Sequence, residues 1–520
     1  MTVPPLDPTS TEAPPIDAIK DQVAIDAGLR AASVAASPTS ENIDRSLLRG
    51  IAWLGGVRWA VQGVTWATTI LIARILTPAD YGVLSMAGVM LTFIALLSES
   101  GIGTTVVQKR AISAEQTAQI NGGAILLGLT CCAITCALAW PVGWFYKAPE
   151  LPAVIVSMSF VLAISAFRIV PGALLQRDMR FPRLAIIDAI AGIAQALITL
   201  ALAKFGFRYW SLVLGGLAGA IIATGLTVAS RPYRIRKPQW EALRPLLPFT
   251  HQVLIGRLCW YAYQDSDFVV AGKRLGSMAL GGYSYAWTLA SMPVDKITAL
   301  VGGVTSPVFA AVQHDEAALR RYFLAVTEGL ALVAFPMTIG LALVAGELVP
   351  VLLGQSWTFM VTPLRVLAAY AAIRTISPLS PHLLTAIGDT RFQMYLSGLA
   401  AIVLPTSFYI GSHWGTIGIA VAWTIAHPLM VYLPGTARVA LRIRLSPAAY
   451  LRALWPAVSS CSAMAVAVFF AQSMLPATYP LVVRLIAEIV LGAMLYSACV
   501  LLFHRARLTG FLAIVRNARA

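Results

Sequence analysis

From residue 50 onward the chain is a succession of long apolar runs broken by short polar or basic connections. A helix needs about 20 mainly apolar residues to cross a bilayer. On that measure the runs predict fourteen crossings, at 50–73, 80–99, 119–146, 151–175, 184–204, 209–230, 248–271, 281–309, 322–346, 360–386, 393–411, 414–436, 452–475 and 481–503. No stretch shows the alternation in ~10-residue segments of a membrane-spanning barrel. The pattern therefore predicts an all-α polytopic membrane protein. Residues 1–45 differ: they are rich in Pro, Ala, Ser, Thr and Asp and hold no apolar core of signal-peptide length. They read as a disordered cytoplasmic tail.

Two echoes run through this pattern. Ala73–Ala87 (ARILTPADYGVLSMA) returns as Gly272–Ala286 (GKRLGSMALGGYSYA). A fixed offset of 199 residues (275 − 76) pairs Leu76 with Leu275, Gly82 with Gly281, Ser85 with Ser284, Ala87 with Ala286 and Arg74 with Lys273. Further on, Arg168 before Pro171, followed by Asp178-Met179-Arg180-Phe181, recurs as Arg374 before Pro378, followed by Asp389-Thr390-Arg391-Phe392. Each echo is displaced by six predicted helices, an even number, so the two halves run the same way through the membrane as a parallel repeat. The expected organisation is a tail (1–45), a six-helix lobe (46–230), a basic cytoplasmic linker (231–247), a second six-helix lobe (248–437), and two added helices with a cytoplasmic C-terminus (438–520). Pro232, Pro238 and Pro245 keep the linker from forming one continuous helix.

Charge fixes an orientation. Only 12% of residues are charged, against about 25% in a soluble domain, and the net charge is +15. With the N-terminus inside, the inner connections carry about twenty Lys and Arg and the outer ones seven, as the positive-inside rule requires. Both termini are expected on the cytoplasmic side. No basic surface interleaved with aromatics lies outside the spans, which argues against nucleic acid. Cys131, Cys132, Cys136, Cys259, Cys461 and Cys499 sit in apolar runs without histidine company and read as small buried hydrophobes. The six histidines are scattered without an HExxH, no glycine-rich phosphate loop precedes a helix, and the outer connections are short. No enzyme, metal or cofactor is expected.

Charges in the spans are the candidate chemistry, because each is costly in lipid unless it faces water or a partner. Arg58, Arg168, Arg257, Lys296 and Arg374 lie in the inner half or near mid-depth of predicted helices. Together they are candidates for a cationic vestibule that takes an anionic group, since the arginine fork binds phosphates bidentately. The alternative is that some are merely structural: Lys296 paired with an acid on another helix, and Arg168 and Arg374 each binding the carbonyls freed by its own proline kink. Pro171 and Pro378 are expected to kink the helices that carry Arg168 and Arg374 and turn them toward a central cavity. Asp265 and Asp267 are candidate ion-coupling residues, with a helix-end cap near Lys273 and Arg274 as the other reading of Asp267. The aromatics Trp260, Tyr261, Tyr263, Tyr283, Tyr285 and Trp287 read as sugar-stacking groups or, for Tyr283 to Trp287, as an interfacial belt.

The motifs resemble those of the multidrug/oligosaccharidyl-lipid/polysaccharide (MOP) exporter superfamily. The chain is similar to its Wzx-type branch, which includes the colanic acid, xanthan and teichuronic acid exporters. The residues concerned are Ala73–Gly82, Ser98–Gly103 with Val107–Arg110, Leu174–Phe181, Asp267 with Leu275-Gly276 and Gly281–Tyr283, and Gly354–Trp357. The likeness covers about 50–440, and its motifs are mostly structural turns. It implies a flippase that moves an undecaprenyl-pyrophosphate-linked oligosaccharide from the inner to the outer leaflet for exopolysaccharide biosynthesis. Its implied partners are membrane lipids, a polysaccharide polymerase and chain-length machinery. The alternative within the superfamily is a cation-coupled, MATE-like exporter of small molecules or drugs.

Overall fold

The computed structural model describes residues 63–98, 103, 106–107, 113–238, 260–474, 476 and 478–505. The N-terminal tail, Arg58, Arg257, Cys259 and most of the predicted linker lie outside them. Contacts divide the chain after Gly63, and the second unit, Val64–Ala520, holds the helical bundle.

The described residues are helical almost throughout. α1 (Gly63–Ile75), α2 (Pro78–Ser98), α3 (Ala114–Tyr146), α4 (Leu151–Arg177), α5 (Phe181–Lys204) and α6 (Tyr209–Ser230) precede the linker. After it come α7 (Ser266–Ala311), α8 (Glu316–Leu352), α9 (Val361–Ile376), α10 (Leu379–Ala386), α11 (Thr390–Gly411), α12 (Gly415–His427), α13 (Leu433–Arg442), α14 (Pro447–Met474) and α15 (Leu481–Phe503). Among the described residues, ten helical runs are long and apolar enough to cross a membrane.

Local chemistry explains where the helices begin. Ser113 Oγ accepts from Gln116 N at 3.1 Å while Gln116 Oε1 accepts from Ser113 N at 3.2 Å, so α3 starts on a capping box. The Thr77-Pro78-Ala79-Asp80 motif does the same for α2. Asp80 Oδ2 accepts from Thr77 N at 2.9 Å and from its hydroxyl at 2.7 Å. Asp80 is 1% exposed, and Arg208 from the α5–α6 turn faces its other oxygen at 3.4 Å. This motif is a turn, as its sequence suggested.

The hydropathy pattern separates 248–271 from 281–309 by a connection, and α7 breaks within that interval, at Gly276, into two arms. Asp267 and Tyr283 are sixteen residues apart, roughly 24 Å along a straight helix. Their side chains nevertheless meet at 2.7 Å. The chain therefore doubles back on itself, and it does so at Gly276, whose φ of 82° suits a residue without Cβ. The prolines of the second echo also part company. Pro171 stays inside the continuous α4, whereas Pro378 falls in the break between α9 and α10.

Each half carries one ionic tie at the same spacing. Asp178, just after α4, pairs with Arg231 at 3.3 Å. Asp389, just before α11, pairs with Arg442 and Arg438, each at 2.8 Å. Both Asp178–Arg231 and Asp389–Arg442 span 53 residues (231 − 178 and 442 − 389). Beyond Arg231 the start of the linker lies along the first turns of α3. Tyr233 donates to Ala114 O at 3.0 Å, Arg236 N to Ala118 O at 3.2 Å, and the Arg236 guanidinium meets Glu115 at 2.5 Å.

Hydrogen bonds from Arg438 and then Arg442 hold the Asp389 carboxyl below the usual carboxylate range. A depressed folded value contributes stability that is present above the unfolded carboxylate value of about 3.9 and is lost as pH falls through the folded one. Asp389→Asn is expected to cost on the order of 1 kcal/mol at neutral pH, since both arginines stay partly hydrated. It should also remove part of the acid-side decline in melting temperature, as measured on the purified protein in detergent.

Candidate functional site

The two copies of the first echo meet face to face. Ser85 Oγ donates to Ser284 Oγ at 2.9 Å, across the same 199-residue offset that relates the repeats. A Cβ on Gly82 would overlap the Ser277 carbonyl, and one on Gly281 would overlap the Pro78 carbonyl. The matched glycines thus let the backbones of α2 and the second arm of α7 touch. Beside them Tyr81 packs edge-on to Tyr285 and Trp357, with ring centroids 5.2 and 5.5 Å apart. Trp357 is fully buried and donates to Ala73 O at 3.0 Å, which anchors the Gly354–Trp357 motif on α1.

The matched cations cap each other's halves. Arg74 Nε donates to Leu352 O at 2.7 Å, and a second guanidinium nitrogen reaches Val351 O. Both acceptors lie in the last turn of α8. Lys273 donates to Phe145 O, in the last turn of α3, and stands 4.4 Å from the Phe145 ring centroid. The carbonyls at a helix C-terminus lack intrahelical donors and carry about half a negative charge. A cation there contributes roughly 0.3–1 kcal/mol. Each contact joins residues from opposite sides of the linker, and the two are reciprocal.

From this junction opens a cleft of about 380 Å³, with Thr69, Ser85 and Thr92 on one side and Tyr261, Asp265 and Ser284 on the other. Behind it Asp267, fully buried, accepts from Tyr283 Oη at 2.7 Å, Trp423 Nε1 at 2.8 Å and Phe268 N at 2.9 Å. Lys273 and Arg274 are engaged elsewhere, Arg274 over the Tyr409 ring at 4.7 Å, so neither is the partner in which Asp267 is buried. Tyr283 and Tyr285 belong to the core rather than to an interfacial belt.

The candidate cations separate into two places. Arg374 on α9 donates to Ser291 Oγ at 2.6 Å, meets Asp295 at 3.5 Å and lies 4.9 Å from the Trp287 ring centroid. Its side chain is 24% exposed, whereas that of Asp295 is 62% exposed. Lys296 follows Asp295 on α7 and is exposed. Arg168 on α4 pairs with Asp188 of α5 at 3.0 Å. The two arginines of the second echo therefore take partners on non-equivalent helices. Trp423 and Ser291 escaped the sequence reading, because nothing local marks a core indole or serine as the partner of a distant charge. The buried charges Glu347 and Glu488 also escaped it, although each interrupts an apolar run.

The chain matches the family described as "Polysaccharide biosynthesis protein" over residues 71–362, more than half its length. It is 25% identical over 479 residues to the succinoglycan biosynthesis transport protein ExoT of Rhizobium meliloti (strain 1021), covering 91% of this chain and 96% of that one. It is 22% identical over 421 residues to the lipopolysaccharide biosynthesis protein WzxC of Escherichia coli (strain K12), covering 77% and 84%. Among solved structures it superposes on the lipid II flippase MurJ in an inward closed conformation with a TM-score of 0.70 and 12% identity, covering 88% of this chain and 99% of that one.

The Ser85–Ser284 contact is checked by crosslinking. In a chain freed of native cysteines, Ser85→Cys with Ser284→Cys should form a disulfide under mild oxidation. Gly88→Cys with Ser284→Cys, one helical turn away, should not. No crosslink in the first pair would show that the repeats do not meet here.

Proposed function

The chain belongs to the polysaccharide biosynthesis family and is a Wzx-type exporter of the MOP superfamily, a multi-pass membrane transporter rather than an enzyme, and from that premise we propose what it carries and how. The substrate is an undecaprenyl-pyrophosphate-linked oligosaccharide, moved from the cytoplasmic to the outer leaflet of a bacterial inner membrane for exopolysaccharide assembly. Fourteen helices form two six-helix lobes, 46–230 and 248–437, joined by the linker 231–247. The last two helices and the C-terminus, 438–520, are additions. The termini are cytoplasmic.

One observation carries this reading: the duplicated segments clamp the halves together at one end through the reciprocal caps of Arg74 and Lys273. Surface contacts of this kind, each contributing about 1 kcal/mol, can break and re-form as two lobes rock about the cleft. At the basic ends, Asp178–Arg231 ties the first lobe to the start of the linker and Asp389–Arg442 ties the second lobe to the segment after it, so neither tie hinders the opening of the clamp. In the orientation expected from charge the clamp is the outer gate.

Arg374 supports an anionic cargo. Its guanidinium is fixed on one side by Ser291 and Trp287, while its carboxylate partner, Asp295, is mostly hydrated. A diphosphate can replace Asp295 and gain a bidentate contact that Asp295 does not make. Arg168 with Asp188, Lys296, and the undescribed Arg58 and Arg257 complete the cationic path. Asp265 on the cleft wall and Asp267 behind it are the positions for a coupling ion.

In cells that depend on this exporter for their polysaccharide, Arg374→Gln should reach the membrane at normal level. It should lower export by at least about tenfold, the worth of one charge-assisted contact, with lipid-linked oligosaccharide accumulating on the cytoplasmic side. Arg374→Lys should retain part of the export. Normal export by the Gln variant, or its disappearance from the membrane, would overturn the cavity role.

A further inference from the structure

A second polar cluster lies apart from the cleft, where the C-terminal helix pair packs on α8. Glu488 of α15 is fully buried. Its Oε2 accepts from Gln472 Nε2 of α14 at 3.1 Å, and that nitrogen also donates to Leu343 O of α8 at 3.1 Å. One turn beyond Leu343, Glu347 meets Arg484 of α15 at 3.1 Å, the two side chains 11% and 18% exposed. Glu488 also borders a cavity of about 280 Å³ whose other walls are apolar, among them Leu343, Val344, Met464 and Val468.

The donors and acceptors of this cluster do not balance. Glu488 Oε1 and Glu347 Oε2 are buried acceptors without a donor, and Arg484 Nε is a buried donor without an acceptor. Two acceptors against one donor leave the site one hydrogen short. Charge gives the same count, since two carboxylates share one buried guanidinium. The groups facing Glu488 are Glu347 from α8, Arg484 one turn away on α15, and Arg365 from α9, an exposed side chain whose guanidinium rests against Gly346. α14 offers only the neutral Gln472. A carboxylate held by an amide alone in a lipid-filled setting costs several kcal/mol more than its neutral acid.

We propose that Glu488 and Glu347 bind one proton between them beside this cavity, and that the bound proton holds α14 and α15 against α8. The proton comes from the aqueous phase at the near membrane face. Glu488 stands seven residues, about 10 Å, from the start of α15, and Glu347 five residues from the end of α8. With the proton bound, one carboxyl is neutral and donates where an acceptor was unmatched, while the other pairs with Arg484. When the proton leaves, two carboxylates face each other beside one guanidinium and repel. Docking of the helix pair is therefore favoured below the site's own titration point and weakens as pH rises through it.

The proposal is independent of which cargo the protein carries, and its test uses none. The full-length protein in lipid nanodiscs is followed by infrared spectroscopy and thermal unfolding from about pH 5 to about pH 9, the range into which burial moves a glutamate. The wild type should show a protonated-carboxyl band that fades with rising pH, together with a falling melting temperature. Glu488→Gln should lose that band and the associated pH dependence. Glu347→Gln should also lose the band, because the remaining carboxylate can then pair with Arg484, and it gives a reading should the first variant not insert. The absence of the band in the wild type throughout this range, or an unchanged band in the variants, would overturn the proposal. So would a Glu488→Gln variant with the wild-type pH profile.

Discussion

Everything in this bundle depends on one close approach. Two helices can bring their backbones together only where neither has a side chain in the way, and Gly82 and Gly281 supply that at matched positions of the two repeats. The contact places Ser85 on Ser284 and sets Tyr81, Tyr285 and Trp357 into one aromatic cluster. It also brings Arg74 and Lys273 within reach of helix ends in the opposite half. An interface built on small residues and terminal caps suits association in lipid, where apolar burial between helices offers little drive. Such an interface can also be separated, since it gives up a few hydrogen bonds and dispersion contacts rather than a large dry core.

The bilayer shapes the polar residues more strictly than the apolar ones. Most hydroxyls in the helices return to the carbonyl one turn back, as Thr135, Thr227, Thr327 and Thr375 do. They ask nothing of their neighbours. The charged groups cannot be satisfied that way and instead reach across helices: Asp267 to Tyr283 and Trp423, Arg374 to Ser291 and Asp295, Arg484 to Glu347. These cross-helix contacts are where the protein departs from simple apolar packing, and a charge retained in lipid at such cost marks a place where something other than stability is at stake.

The repeats also differ in an informative way. Near the basic ends a likeness is kept: Asp178–Arg231 and Asp389–Arg442 share one spacing, an acidic turn tied to the end of a later helix, although Asp389 also takes Arg438. Within the membrane it is broken. Arg168 pairs with the next helix in sequence, whereas Arg374 turns to α7 and its aromatic and serine partners. Interior charges are free to diverge because a single cargo needs recognition from only some of them.

The sequence by itself determined the class of fold, the positions of most helices, the paired echoes and the turn motifs. The reason is physical: in lipid each helix must satisfy its own backbone and present an apolar surface, so its existence is written locally in hydropathy and length. Caps such as Ser113–Gln116 and Thr77–Asp80 are equally local, spanning three residues. Only the tertiary structure decided the meeting of Asp267 with Tyr283 across the Gly276 reversal, the burial of Tyr283, the unequal partners of Arg168 and Arg374, and the joining of Glu347, Arg484 and Glu488. Each of these brings together groups at least 16 residues apart, and 137 apart for Arg484 and Glu347, and no short-range pattern encodes which of several buried charges will find which partner. The sequence showed that charges had entered the membrane, and packing alone chose the groups they met there.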